Sequence, residues 1–256
     1  MLELSGQRLI LEQIAAVADC RLPVRLAANA GQKIRASRDV IEAVLRENRV
    51  VYGVNTGFGR LSDVHISAAD LEVLQLNLVR SHCCGVGSPL SEAETRAMML
   101  LRANVLALGH SGCRMELIQT LLGMLEHGIH PVIPEKGSVG ASGDLAPLAH
   151  LALGIIGEGD CWWRGARIPS GEAFKQAGME PLRLQAKEGL ALLNGTQAMA
   201  AVGGLALHRA HRVVALADLA GAMTLEALLG TPSAFDEPNP GGSSARRTNR
   251  LRRTLA

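Results

Sequence analysis

The composition of this chain of 256 residues favours a folded, mainly helical protein. Hydrophobic residues make up 48% of the sequence, enough for a sizeable core, whereas only 2% are aromatic, so the side chains that strands recruit are scarce. The net charge is +2, but residues 238–256 carry five arginines and no acid, which leaves the rest of the chain net negative and argues against a nucleic-acid-binding surface.

In chain order, the first predicted elements are amphipathic helices. Ser37 is expected to cap a helix that has apolar residues at positions 40, 41, 44 and 45. Three more helices are predicted over 67–82, 91–108 and 115–127. Ser67 and Ser91, each followed three residues later by an acid, fit the start of a helix, and Gly109 and Gly128 fit the stops.

The later elements follow a glycine-rich loop at 137–143. A helix is predicted over 144–156, and residues 157–169 are predicted to form a small hairpin. Residues 196–229 are almost all helix formers, which predicts one helix of roughly 50 Å. A helix that is long and apolar on most sides is expected inside a bundle or between subunits.

Three features predict a cytoplasmic location. The five cysteines show no C-x-x-C spacing, and the adjacent pair Cys83 and Cys84 is poorly placed for a structural disulfide. The first residues do not combine a basic start with an apolar run, so a signal peptide is not expected. The apolar stretch 213–230 is interrupted by Asp218 and Glu226, which favours a buried helix over a membrane span.

The most informative segment is the octapeptide Gly137-Ser-Val-Gly-Ala-Ser-Gly-Asp144. A turn between two elements is one interpretation, but the segment lacks the lysine of a phosphate-binding loop, and Asp144 stands where a nucleophile elbow at Ser142 would need glycine. A third interpretation is chemical. Because Gly143 has no Cβ, its amide nitrogen can approach the carbonyl carbon of Ala141, and cyclisation with loss of two waters would give an electrophilic methylidene ring.

The string Ala-Ser-Gly-Asp-Leu-Ala-Pro-Leu-Ala-His at 141–150 resembles the signature of the aromatic amino-acid ammonia-lyases, in which Ala-Ser-Gly becomes 4-methylidene-imidazol-5-one. Three further segments match in the same order: Tyr-Gly-Val-Asn-Thr-Gly-Phe-Gly at 52–59, Ser-His-Cys-Cys-Gly-Val-Gly at 81–87 and Leu-Ala-Leu-Leu-Asn-Gly-Thr-Gln at 190–197. The Ser-His pair and the last run look most like the histidine-specific members. The resemblance therefore implies a carbon–nitrogen lyase that deaminates L-histidine to trans-urocanate and ammonia; a tyrosine or phenylalanine lyase or an aminomutase, using the same ring, is the alternative.

The resemblance also implies roles for individual residues. The catalytic residues are Ala141, Ser142 and Gly143, which form the ring, and Tyr52, a candidate base for the β-proton. The substrate-binding residues are His82, Asn194 and Gly59. Without the resemblance, Tyr52 would be a packing residue, His82 a solvent or capping histidine and Asn194 a helix cap. No metal and no dissociable cofactor is expected.

Asp144 has two interpretations at the sequence level. It is a candidate cap for the helix that begins there, and its position beside Gly143 also suggests that it assists the cyclisation. If the start of that helix points at the ring, the helix dipole stabilises negative charge that develops there.

The fold that the resemblance implies is mainly α: a helical bundle with a small N-terminal α+β region that bears the electrophile. The domains expected are an electrophile-bearing domain at 1–195, the start of the central long-helix bundle at 196–237, and a basic tail outside the family pattern at 238–256, expected to be disordered. The partners implied are a small-molecule amino-acid substrate and three further copies in a homotetramer, with no nucleic acid and no membrane.

The family pattern stops after Glu237, so the chain is expected to be the N-terminal half of a lyase. A set of synonymous codons for the tail, read one base later, gives Arg-Ile-Gln-Ala-Ala-Arg-Pro-His, which resembles the family's continuation, and a one-base frameshift is the hypothesis that the gene sequence tests. Such a half is expected to expose the apolar faces of 196–229 and to have little or no lyase activity alone. An inactive helical fragment is therefore an alternative, whereas a serine hydrolase using Ser142 is disfavoured because no supporting His and Asp motif is recognisable.

Overall fold

A computed structural model describes residues 1–62, 64–67, 69–140 and 143–235 of the chain. Helices dominate this part, which confirms the mainly α class. The α-helices are α1 (Leu11–Ala18), α2 (Ala30–Arg46), α3 (Leu71–His82), α4 (Glu92–Leu106), α5 (Met115–His127), α6 (Leu145–Ile155), α7 (Ser170–Ala177), α8 (Glu188–Leu193) and α9 (Gln197–Ala227), and 3-10 helices lie at Gly59–Leu61 and Pro232–Phe235. The long helix predicted at 196–229 is thus confirmed as α9.

The strands form three small sheets. They are β1 (Leu2–Leu4), β2 (Val24–Leu26), β3 (Val86–Pro89), β4 (His130–Pro131), β5 (Pro134–Lys136), β6 (Asp160–Trp163) and β7 (Ala166–Pro169). β1 pairs with β2 in parallel, β3 pairs with β5 antiparallel, and β4, β6 and β7 form one antiparallel sheet in that order. The β6–β7 pair is the hairpin predicted within 157–169.

The chain divides into two units, Met1–Leu205 and the residues from Ala206 onward. The first unit holds one large core of aliphatic and methionine side chains, with α4 at its centre: Met98, Met99, Leu100 and Leu106 are fully buried. Within this unit α3, α6 and α8 pack against one another in all three pairings. α6 begins two residues after Gly143, so this packing also fixes the position of the C-terminal end of the glycine-rich loop.

Two of the predicted helix ends are confirmed. Ser91 forms a complete capping box with Glu94: its hydroxyl accepts from the Glu94 N–H at 3.3 Å, and its own N–H donates to the Glu94 carboxylate at 2.9 Å. Gly128 ends α5 in the left-handed region, with φ of +70°. Both signals are local, since each needs only a few neighbouring residues to form its bonds.

Two of the predicted starts are wrong. Ser37 lies inside α2, which begins seven residues earlier at Ala30, and its hydroxyl accepts instead from the N–H of Gly112 at 3.0 Å. The Ser67 hydroxyl donates to the Asp70 carboxylate at 2.6 Å, and α3 begins only at Leu71. In both cases a hydroxyl that matched a capping pattern found another partner.

The second unit contains the rest of α9 and the 3-10 helix at Pro232–Phe235. Large apolar side chains are exposed along this part of α9, among them Val213, Leu216, Leu219 and Met223. The segment Glu188–Ala227 is also long and apolar enough to cross a bilayer by length and composition alone, a test that the core helix of a soluble protein passes as well.

We expect Ser91→Ala to lower the free energy of unfolding by about 1 kcal/mol, because the first turn of α4 loses the acceptor for the Glu94 N–H. Ser67→Ala is the matched control, since its hydroxyl caps no helix, and we expect it to change stability by less than about 0.5 kcal/mol. Urea denaturation of both variants measures the difference. Equal losses in the two variants would contradict the assigned cap.

Candidate functional site

Three segments of the predicted site lie at ends of α3, α6 and α8, which pack against one another. His82 is the last residue of α3, Asp144 immediately precedes α6, and Asn194 immediately follows α8. The contact between α3 and α8 is close, because the N–H of Gly189 donates to the buried Gln75 side chain at 2.9 Å. Helix packing therefore brings together three segments that are far apart in the sequence.

The Asp144 side chain is fully buried, and two hydrogen bonds hold it. The hydroxyl of Ser138 donates to Oδ1 at 2.6 Å, and the N–H of Met199, in the first turn of α9, donates to Oδ2 at 2.8 Å. A buried carboxylate needs such donors, and bonds to an ionised acceptor are stronger than neutral ones. Asp144 thus joins the glycine-rich loop and the start of α6 to the start of α9.

The backbone around Asp144 is equally constrained. Its N–H donates to the carbonyl of Gly195 at 2.7 Å. Gly143 has φ of +119°, and a Cβ at this position would lie 2.9 Å from the Gly195 oxygen and 3.4 Å from Oδ1 of Asn194. Only glycine fits this conformation and this close approach. The structure therefore brings Gly143 against Asn194, while Ala141 and Ser142 lie outside the described residues.

Asn194 does not cap the long helix, as one interpretation of its position expected. It immediately follows α8 in an extended conformation and is exposed, three residues before α9 begins. The carboxylate that binds the first turn of α9 belongs to Asp144. The carboxamide of Asn194 is consequently free of a capping role and lies beside the turn at Gly143.

Tyr52 lies on the loop between α2 and the first 3-10 helix, where 60% of the residue is exposed. Its ring meets that of Phe58 edge to face, with centroids 6.0 Å apart. The loop packs on α8, since a Cβ at Gly53 would lie 2.7 Å from Cδ2 of Leu190. Gly59 begins the 3-10 helix, and in the part of the chain that the structure describes nothing comes within 4 Å of where its Cβ would be.

His82 is half-buried at the end of α3. Its Nδ1 lies 2.8 Å from the carbonyl oxygen of Leu78, and because a carbonyl can only accept, Nδ1 carries the hydrogen. In the neutral ring Nε2 then keeps a lone pair.

The thiol of the neighbouring Cys83 donates to the carbonyl of Val79. Burial raises the pKa of this thiol to about 12, so Cys83 is not a thiolate nucleophile at neutral pH.

The segment after His82 is tied to α6 by His150. The N–H of Gly85 donates to Nε2 of His150 at 3.1 Å. Burial lowers the pKa of His150 from its ordinary value, which favours the neutral imidazole that this bond requires. This hydrogen bond joins the segment that follows His82 to α6, the helix that Asp144 precedes.

Sequence reasoning did not assign roles to Ser138, His150 or Arg102. Ser138 belongs to the glycine-rich loop and His150 to the 141–150 string that resembles the family signature. Their closeness to Asp144 in the sequence could have indicated that they lie near the site. Arg102 is an arginine in the apolar run Met98-Met-Leu-Leu-Arg-Ala103, a pattern that is typical of a buried cation. Its guanidinium donates to the segment that carries Asn194.

Among the described residues no group of three or more His, Cys, Asp or Glu side chains is arranged to hold a metal ion. All five cysteines are free thiols. The groups described at the candidate site are a phenol (Tyr52), an imidazole (His82), a carboxamide (Asn194), a buried carboxylate (Asp144) and the backbone turn at Gly143.

The family model described as aromatic amino acid lyase matches residues 9–241 of this chain. Histidine ammonia-lyase from Anaeromyxobacter dehalogenans is 59% identical over 239 residues, which cover 91% of this chain and 47% of that protein. Histidine ammonia-lyase from Myxococcus xanthus is 53% identical over 232 residues, covering 91% and 46%. The chain spans about half the length of the curated relatives that it matches.

Solved structures give the same picture of the fold. Histidine ammonia-lyase from Trypanosoma cruzi superposes with a TM-score of 0.90 at 40% identity, over 98% of this chain and 50% of that one. Tyrosine aminomutase from Streptomyces globisporus also superposes with a TM-score of 0.90, at 37% identity over 99% and 48% of the two chains. The architecture described above is therefore shared by enzymes that act on different aromatic amino acids.

We expect Asp144→Asn to lower the free energy of unfolding by about 1–3 kcal/mol, because an amide cannot accept at both positions where Ser138 and Met199 donate. Asp160→Asn is the matched control: this carboxylate is partly exposed and pairs with Arg167 near the surface, so its loss should cost no more than about 1 kcal/mol. Chemical denaturation of the two variants makes the comparison. A loss at Asp144 no greater than that at Asp160 would show that the buried carboxylate does not hold the site.

Proposed function

This chain belongs to the aromatic amino acid lyase family. We propose that a full-length protein containing this chain removes ammonia from L-histidine to give trans-urocanate. The histidine assignment is supported by several relatives named histidine ammonia-lyase that are 50–59% identical to the chain. The observation that carries the proposal is the turn at Gly143, which is enclosed by Asp144, Asn194 and Gly195.

We propose that Ala141, Ser142 and Gly143 become 4-methylidene-imidazol-5-one. The fit is supported by the φ of +119° at Gly143 and by the lack of room for a Cβ there, as expected of a residue whose amide nitrogen must approach a backbone carbonyl. When formed, this group supplies an electrophile that none of the twenty side chains offers.

The side chains around the turn have separate proposed tasks. Asn194, exposed beside Gly143, orients the amino group of the substrate. His82 offers the lone pair on Nε2 to the N–H of the substrate's imidazole, since Nδ1 is occupied by the Leu78 carbonyl. Tyr52, whose ring is largely exposed, is the base that removes the β-proton. Gly59 is proposed to lie along the substrate pocket.

The carboxylate of Asp144 has a supporting task. It accepts hydrogen bonds from the Ser138 hydroxyl and the Met199 N–H. These bonds fix the turn before substrate binds. The first N–H groups of α6 begin one residue after it. Their dipoles point toward the turn and stabilise negative charge that develops there.

The remaining expectations concern the setting of the reaction. A homotetramer is proposed because the exposed apolar side chains of α9, such as Val213 and Leu216, are of the kind that association buries. A cytoplasmic location is supported by the free thiols. The domain division at 195 and 237 stays a proposal.

We expect the intact mass of the purified, folded chain to be lower than the encoded mass by two water molecules, and the loss to map to the peptide that contains residues 141–143. This follows because every contact described around the turn comes from within Met1–Leu205. Ser142→Ala has no hydroxyl to lose as the second water, so this variant should not show the loss of two waters. A folded chain with the encoded mass would overturn ring formation in this chain.

If the gene encodes a lyase-like second half in a shifted frame, the substrate is tested on the protein with that half restored. We expect absorbance from trans-urocanate when L-histidine is added, and none from the Ser142→Ala variant. Cinnamate from L-phenylalanine or coumarate from L-tyrosine would replace the histidine assignment by one of the other lyases. A β-amino acid product would indicate an aminomutase.

A further inference from the structure

Arg102 is a buried cation whose hydrogen bonds all go to one short segment. It lies on α4 and is only 2% exposed. Nη2 donates to the carbonyls of Ala191 and Asn194, the latter at 3.0 Å, and Nη1 donates to Oε1 of Gln197 at 2.6 Å. These acceptors are the end of α8, the residue after it and the first residue of α9. The guanidinium therefore spans the link between two helices.

Burying the guanidinium of Arg102 in this way costs free energy of folding. In the part of the chain described, no carboxylate forms a salt bridge with Arg102, and its buried Nε–H has no hydrogen-bond partner. Burial lowers the pKa of the guanidinium to about 10, as expected when a cation is taken out of water without an opposite charge. An apolar side chain of similar volume would avoid both penalties. The acceptors described for the guanidinium are two backbone carbonyls and one side-chain amide oxygen, none of which carries a charge.

The position of the guanidinium explains the glycine in the link. A Cβ at Gly195 would collide with Nη1 of Arg102 and with Oε1 of Gln197. The backbone of Gly195 is thus held on one side by this hydrogen-bonded pair. On its other side its carbonyl accepts from the N–H of Asp144 and lies against Gly143.

We propose that Arg102 is a positioning residue for the electrophile: its guanidinium fixes the Asn194–Gln197 link so that Gly195 backs Gly143 and accepts from Asp144. The hydrogen bonds described for Arg102 go to Ala191, Asn194 and Gln197 and not to Gly143, so it acts through the link. The inference rests on the proposed function for its chemical meaning, since the turn it fixes is the turn proposed to cyclise. The geometric part stands without it.

The chain offers a matched control on the same helix. Arg96 is also buried on α4 and also donates to backbone carbonyls, those of Val17 and Leu125, each at 3.0 Å. Its remaining partner is His130, so its hydrogen bonds reach no residue of the link. If Arg102 only stabilised the core, substitution of Arg102 and substitution of Arg96 would loosen the link to a similar extent.

The test compares Arg102→Gln, Arg102→Lys and Arg96→Gln with the wild-type chain. Hydrogen exchange is measured at the amides of Asp144 and Met199, which bond to the Gly195 carbonyl and to the Asp144 carboxylate, and it is normalised to a core amide such as that of Leu121. We expect both Arg102 variants to exchange at least about tenfold faster at the two amides than the wild type, and Arg96→Gln to match the wild type after normalisation. Arg102→Lys keeps the charge but lacks the planar fork that spans the link.

Intact mass gives the second readout on the same samples. If the wild type has lost two waters, we expect the fraction of modified chain to fall in both Arg102 variants and to persist in Arg96→Gln. Unchanged protection at Asp144 and Met199 in a folded Arg102 variant, or equal loss in the Arg96 variant, would overturn the inference. A wild-type chain that keeps its encoded mass counts against the proposed function alone, because the exchange result still decides whether Arg102 positions the link.

Discussion

The site depends on one buried carboxylate. Asp144 takes a hydroxyl donor from Ser138 and a backbone donor from Met199, and these bonds offset the cost of keeping its charge out of water. Without them, the loop before α6 and the first turn of α9 would have no common partner. A single side chain thus connects the segment expected to become an electrophile with the first turn of the long helix α9.

Around that carboxylate, backbone rather than side chains forms the surface behind the turn. Gly143 lies against Gly195, and Gly195 in turn lies against the guanidinium of Arg102. The backbones can approach this closely because both residues, Gly143 and Gly195, are glycines. The carbonyls at the end of α8 would lack partners without a buried donor, and Arg102 supplies it. The side chains proposed to meet the substrate differ: Tyr52 and Asn194 are exposed, and His82 is half-buried. Rigid backbone support and accessible recognition groups therefore come from different parts of the first unit.

Some local sequence signals were sufficient to predict where helices end, and others were not. Ser91 with Glu94 and the glycine at 128 marked helix ends correctly, because the capping box and the left-handed stop are completed within a few residues. Ser37 and Ser67 carried similar signals and failed. The Ser37 hydroxyl receives the N–H of Gly112, a partner 75 residues away, so no local pattern could predict it. The apolar run of 196–229 predicted α9 correctly because helix propensity summed over many residues outweighs any single error.

By itself the sequence determined the mainly α class, the long helix and the family, because composition, periodicity and four ordered motifs are properties of the chain alone. It also pointed to Gly143, Asp144 and Asn194, though it assigned Asn194 a possible capping role that Asp144 performs. Only the tertiary structure decided which groups satisfy one another: the carboxylate of Asp144 with Met199, and the guanidinium of Arg102 with the Asn194 carbonyl. The physical reason is that buried polar groups must find partners wherever packing places them, and that choice is made across the fold rather than along the chain.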